Sequence, residues 1–144
     1  MGESRWALPR IASIWYSLRS CHVLCYNVDS YKIAYACFVG HIPIHLAASD
    51  SVCLVWNYED VLQVLHKHRS VLAYLAGHTH CSAYGQDKKG IHHVVFPGVI
   101  EASPDCPAAH ATVLLYPDQV VIKAAENSGM SDIVMSTSHC NGTS

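Results

Sequence analysis

A chain of 144 residues has room for one modest domain with a real core. Hydrophobic residues make up 51% and charged residues 14%, the balance of a globular chain rather than a disordered one. The formal net charge of -2 supplies no field to draw in nucleic acid or an anionic membrane, so neither is expected as a partner.

Residues 1 to about 32 mix aromatics, serines and cysteines without a clean helical or strand period, and no stable element is expected there. Arg19, Asp29 and Lys32 interrupt the apolar region from 11 to 39, which excludes a membrane-spanning helix. Residues 33–39 (IAYACFV) form a continuous apolar run closed by Gly40-His41, the pattern of a buried strand entering a loop. Pro43 and Asp50 mark 42–51 as that loop. Over 57–68 the apolar stripe Val61, Leu62, Val64, Leu65 faces away from Glu59, Asp60, Gln63 and Lys67, which predicts an amphipathic helix with Asn57 as a possible cap. Residues 71–76 read as the next buried strand, 84–90 (YGQDKKG) as a polar turn, and 91–96 as a strand stopped by Pro97-Gly98. Residues 109–116 and 119–124 are two strands joined by Pro117-Asp118, a hairpin. The last twenty residues are small and polar, the composition of a loosely packed tail.

Eleven histidines are the compositional outlier. Histidine is the commonest metal ligand, although most of a set this large serve packing or the surface. The seven cysteines are odd in number and contain no CxxC pair, so reduced thiols in a cytoplasmic setting are expected rather than a disulfide framework or a zinc ribbon.

The histidines that carry a pattern stand at strand ends. Val39-Gly40-His41 closes one predicted strand, and Ala76-Gly77-His78-Thr79-His80 closes the next. On an extended segment, residues two apart share a side. The helix between the two strands makes a crossover, so the strands are parallel and their C-terminal ends share the sheet edge at which ligands bind. His41, His78 and His80 are thereby expected to converge, and a glycine before each histidine segment permits a sharp turn or a close approach.

At these residues the chain resembles the calcineurin-like metallophosphoesterases, whose late signature is Gly-His-X-His. The segments His41-Ile-Pro-Ile-His45, Cys53-Leu-Val-Trp-Asn57, Gly77 to His80 and Gly98-Val-Ile-Glu101 look together like the manganese-dependent ADP-ribose/CDP-alcohol diphosphatases. The resemblance covers roughly 37–135. It implies an α/β fold, the C-terminal half of a layered β-sandwich flanked by helices. It also implies a two-metal hydrolase in which Mn2+ ions stabilise charge developing at phosphorus. The implied substrates are ADP-ribose and CDP-alcohols such as CDP-choline, CDP-ethanolamine and CDP-glycerol, cut at the diphosphate by a monomer. His41 and His78 are implied as ligands of one metal and His80 as a ligand of the other.

The family's earlier motifs, Asp-X-His or Asp-X-Gln, Gly-Asp-X-X-Asp and Gly-Asn-His, do not occur in these 144 residues. The expected organisation is a leader at 1–36 unlike the family, a partial phosphoesterase domain at 37–125 and a polar tail at 126–144, as a truncated isoform would have. Without a bridging carboxylate two divalent cations repel strongly, so the chain alone is expected to be inactive. The alternative is a non-catalytic module that binds metal weakly or binds a partner.

Around this centre, His45 reads as a phosphate contact or a surface histidine, and Trp56 as a base-stacking indole or a core anchor. Cys53 is a possible lining residue of the nucleotide pocket, Asn57 a lining residue or a helix cap, and Glu101 a pocket residue or a solvated carboxylate. His92 and His93 alternate across a strand, so at most one faces any site. His66 and His68 sit favourably near a helix C-terminus and need no catalytic role.

Overall fold

A computed structural model describes residues 10–12, 22–29, 32–98, 110–126, 128–138 and 140. The apolar run at 33–39 lies in β3 (Lys32–Val39), and the run at 71–76 is β4 (Val71–Ala76). The two pair in parallel, with Val39 opposite Leu75. Helix α1 (Tyr58–Leu65) makes the crossover, so both strands end on one edge. β6 (His92–Val95) adds in parallel to β4, β2 (His22–Asp29) and β5 (Ala83–Gln86) add antiparallel at the flanks, and the order is β2-β3-β4-β6-β5. A second, antiparallel sheet has the order β1-β7-β8-β9, formed by β1 (Arg10–Ala12), β7 (Ala111–Leu115), β8 (Gln119–Ala124) and β9 (Ile133–Ser136).

Alternation decides how the layers stack. Tyr35, Cys37 and Val39 lie on one face of β3 and meet Val113, Leu115, Val120, Ile122 and Met135 of the second sheet in one buried core. The Tyr35 hydroxyl donates to the Tyr116 carbonyl at 2.8 Å and ties the two sheets together. The opposite face of the first sheet, with Phe38 and Tyr74, packs against Leu62 and Leu65 of α1 and against Ile44. Burying each of those leucines contributes about 1.5–3 kcal/mol, which holds a helix of only 8 residues against its sheet. The result is the mixed α/β arrangement expected, with α1 the only α-helix among the described residues. No helix among the described residues is long and apolar enough to cross a membrane.

Four parts of the chain depart from the sequence reading. Residues 84–90 are not one polar turn: 83–86 form β5, and the turn proper is Asp87 to Gly90, where Gly90 takes φ 90°. An edge strand satisfies one ladder and tolerates polar residues, so Tyr84 and Gln86 can alternate with Ala83 and Gly85 without an apolar run. The polar tail contains β9, in which Ile133 and Met135 are buried while Val134 is 60% exposed. That is a half-buried strand hidden by its serine-rich surroundings. The first 36 residues contribute β1 and β2, where backbone pairing prevails over the missing periodicity. The helix is also shorter than the predicted 57–68, and Asn57 makes no side-chain capping bond.

Candidate functional site

His41 and the Gly77–His80 box meet where the fold requires, at the common end of β3 and β4. The Gly40 amide donates to the Leu75 carbonyl at 2.9 Å and the Gly77 amide to the His41 carbonyl at 3.0 Å, so the two strand-end loops are stitched to each other. Gly40 has a steric reason: an added Cβ would fall 2.0 Å from the Tyr74 hydroxyl, which itself donates to the Ile42 carbonyl at 3.2 Å. The rings of His41 and His78 stand edge to face with centroids 5.2 Å apart.

The box itself is not extended. His78 and His80 both take left-handed backbone, φ 73° and 61°. Side-chain alternation therefore does not describe them, and the expectation of two imidazoles on one side of an extended segment is corrected. A short bond from the Thr79 amide to the Gly77 carbonyl, 2.9 Å, and another from the Gly98 amide to the His80 carbonyl, 3.1 Å, hold the turn. Left-handed non-glycine residues cost about 1–3 kcal/mol each and collect at functional sites. His78 and His80, one on either side of Thr79, both carry that cost.

All three of these histidines are exposed at the edge. They do not form a three-ligand group: among the described residues only His45, Asp87 and His93 bring three ligand-type atoms within 4.8 Å of one another. The edge thus brings the His41 and His78 rings together, while the three histidines do not share one ligand set. Neutral imidazoles suit a divalent transition ion, and Mn2+ additionally favours carboxylate oxygen. The donor set at this edge fits Mn2+ as a part of a site, with no described carboxylate grouped beside it.

The remaining predicted residues divide. Trp56 is 91% exposed, which rules out the core-anchor reading and leaves an indole face open to solvent. Cys53 is half-buried at the end of the 3-10 turn Ser51–Cys53, and Asn57 is half-buried ahead of α1. Glu101 lies outside the described residues. His45 turns to β6: its ring stacks on His93 at 4.5 Å and 16°, and its Nδ1 accepts the Ala47 amide at 3.0 Å. His92 and His93 occupy opposite faces, His92 bonded to the Tyr84 hydroxyl at 2.8 Å and to Gln86 at 3.2 Å.

Sequence reasoning missed Asp87 altogether and gave no role to His66. The Asp87 carboxylate is the hub of a buried network. Its Oδ1 accepts the Lys89 and Ile91 amides at 2.8 and 3.0 Å, and its Oδ2 accepts His66 Nε2 at 2.8 Å and His93 Nε2 at 3.1 Å. Burial alone would raise this carboxyl, but the His66, His93, Lys89 and Ile91 hydrogen bonds outweigh it and hold the group at about 2. Burial pushes the His93 imidazole down to about 4 against the opposing pull of Asp87. His93 is therefore neutral at pH 7, and with Nε2–H given to Asp87 its buried Nδ1 is a lone pair without a partner. No spacing in the sequence links positions 66, 87 and 93. The only local signal was an aspartate opening a turn that ends in glycine.

The sign of the resulting pH dependence follows. Below pH 6.5 the unfolded chain binds a proton at His93 that the folded chain refuses until about 4. Stability is therefore fully present above pH 6.5 and is lost as pH falls toward 4, with Asp87 adding a further loss as its own carboxyl protonates toward 2. At pH 5 the His93 contribution alone is expected to cost about 2 kcal/mol relative to pH 7. Urea midpoints at the two pH values read it, with a His93→Gln variant expected to flatten the difference.

No family model matches the chain. Relatives are found by direct comparison. The chain is 49% identical over 85 residues to a manganese-dependent ADP-ribose/CDP-alcohol diphosphatase of Mus musculus, covering 59% of this chain and 25% of that protein. The Homo sapiens protein of the same name is 48% identical over 85 residues, with the same shares covered. In three dimensions the fold is similar to a dimetal phosphatase from Danio rerio, with a TM-score of 0.62 and 40% identity over 69% of this chain and 31% of that one. The chain thus spans about a quarter of the length of the curated relatives it matches.

Proposed function

We propose that this chain carries the histidine-bearing C-terminal part of a manganese-dependent diphosphatase that hydrolyses the diphosphate of ADP-ribose and CDP-alcohols. The observation that supports it most is the pairing of His41 with His78 at the shared end of two parallel strands, rings 5.2 Å apart, in a chain 49% identical over 85 residues to a protein of that name. In this reading Mn2+ supplies Lewis acidity at the phosphoryl oxygens when bound. The chain's own residues do the rest of what can be derived. His41 and His78 present imidazoles to one cation, and His80, turned by its left-handed backbone, presents one to another. The exposed Trp56 indole offers a stacking face to a nucleobase, with Cys53 and Asn57 beside it in sequence.

For the 144-residue chain by itself we propose little or no turnover, because three imidazoles do not offset the repulsion between two divalent cations. The expected result is ADP-ribose hydrolysis with manganese no faster than that of a His78→Ala control. Turnover well above the control would show that the described histidines suffice. A second reading, a non-catalytic binding module, draws support from Val52 and Trp56, which are 89% and 91% exposed and form apolar surface a partner can cover.

A further inference from the structure

The cluster at the far side of the 41–50 loop is separate from the strand-end histidines and needs its own account. We propose that His45, Asp87 and His93 form a site for a single divalent transition ion of the zinc type, distinct from the positions of His41, His78 and His80. The inference does not depend on the proposed diphosphatase activity.

Three observations carry it. The ligand-type atoms of the three residues already lie within 4.8 Å of one another. Ligand atoms of a tetrahedral zinc site stand roughly 3.3 Å apart for bonds of about 2.0–2.1 Å, so side-chain rotations of little more than an ångström close the set. His93 Nδ1 is a buried lone pair without a hydrogen-bond partner, on a side chain only 3% exposed. Its other nitrogen, Nε2, stands 3.1 Å from Asp87 Oδ2, close to the spacing of two ligands on one zinc ion, and the open Nδ1 can take up the Nε2 proton that an ion displaces. Finally, Asp87 is aimed from outside the cluster: the Lys89 and Ile91 amides hold Oδ1, leaving Oδ2 toward the imidazoles.

The chemistry selects the ion. Two neutral imidazoles and one carboxylate suit zinc, and three protein ligands leave a fourth position open. His66, on the same carboxylate oxygen at 2.8 Å and with 26% of its side chain exposed, lies between the cluster and solvent and marks a route of entry. Coordination puts the ion in place of the proton between His93 Nε2 and Asp87 Oδ2 and turns the His45 ring out of its stack on His93. It also exchanges the bond from the Ala47 amide to His45 Nδ1 for a bond to the ion. No net proton is released by these two histidines: the proton leaving His93 Nε2 passes to its unpartnered Nδ1, and His45 already offers a lone pair at Nδ1.

The test is zinc uptake by the 144-residue chain in competition with a chromophoric chelator, with cobalt absorption as a second readout of coordination. The unaltered chain is expected to hold one equivalent at this site beyond whatever the strand-end histidines take, and a His78→Ala/His80→Ala variant should keep that equivalent. His45→Ala should weaken binding by at least about tenfold, and zinc should shift the Ala47 amide resonance. His45 is half-buried in a loop, so this variant is expected to keep its fold, and circular dichroism checks that it does. The proposal is overturned by no uptake, by uptake that His45→Ala leaves unchanged, or by uptake lost in His78→Ala/His80→Ala.

Discussion

Replacing Asp87 by alanine is expected to destabilise the fold by about 3–5 kcal/mol, read from urea unfolding at pH 7. The carboxylate accepts four donors, and their environments are unequal. His66 and the Lys89 amide are near enough to solvent to turn to water. The Ile91 amide and His93 Nε2 are buried, and each buried donor left unpaired costs about 1–3 kcal/mol. Asparagine separates the two parts of the effect. Its carbonyl can still take the two amides, while its NH2 faces the imidazoles, so Asp87→Asn should lose roughly half as much. A loss below about 1 kcal/mol for Asp87→Ala would mean that the network is incidental.

The consequence reaches the strand-end site through one loop. His45 stacks on His93, and an added Cβ on Gly85 would lie 2.3 Å from the Ala47 carbonyl, so the loop that begins at His41 rests directly on β5 and β6. The Asp87 network braces that loop from below, and the His41–His78 pair terminates it above. Two histidine groups of different character share one support: an exposed pair at the edge and a buried set held by a carboxylate.

Why one group was legible in the sequence and the other was not has a physical reason. The strands at 33–39, 71–76 and 91–96 and the 109–124 hairpin announce themselves because apolar runs and turn residues are local signals. The crossover rule then brought Gly40-His41 and Gly77-His78 to one edge without any long-range information. His66, Asp87 and His93 come from a helix end, a turn and a strand interior, and their convergence is a product of packing alone. The left-handed conformations of His78 and His80 were equally hidden, because histidine rather than glycine occupies both positions. Trp56 was ambiguous for the opposite reason: one indole beside a helix start fits a core or a surface until burial is known.

The tail poses the same question in energetic form. Composition reads 126–144 as loose, whereas Met135 of β9 is fully buried between the sheets and pairs with Val120 of β8. Met135→Ala is expected to cost about 2–5 kcal/mol, because the neighbours Val113, Val120 and Ile122 sit in strands that cannot collapse into the space left. Met135→Leu conserves volume and should cost less than about 1.5 kcal/mol. Val134, the next residue along β9, is 60% exposed, and truncating it to alanine should change stability by no more than about 0.5 kcal/mol. The contrast between adjacent positions is the decisive reading. A detached tail makes both alanine variants equally mild, whereas a strand completing the second sheet makes one costly and the other silent. The large value at Met135 would place the histidine-bearing sheet on a support that includes residues composition alone assigns to no structure.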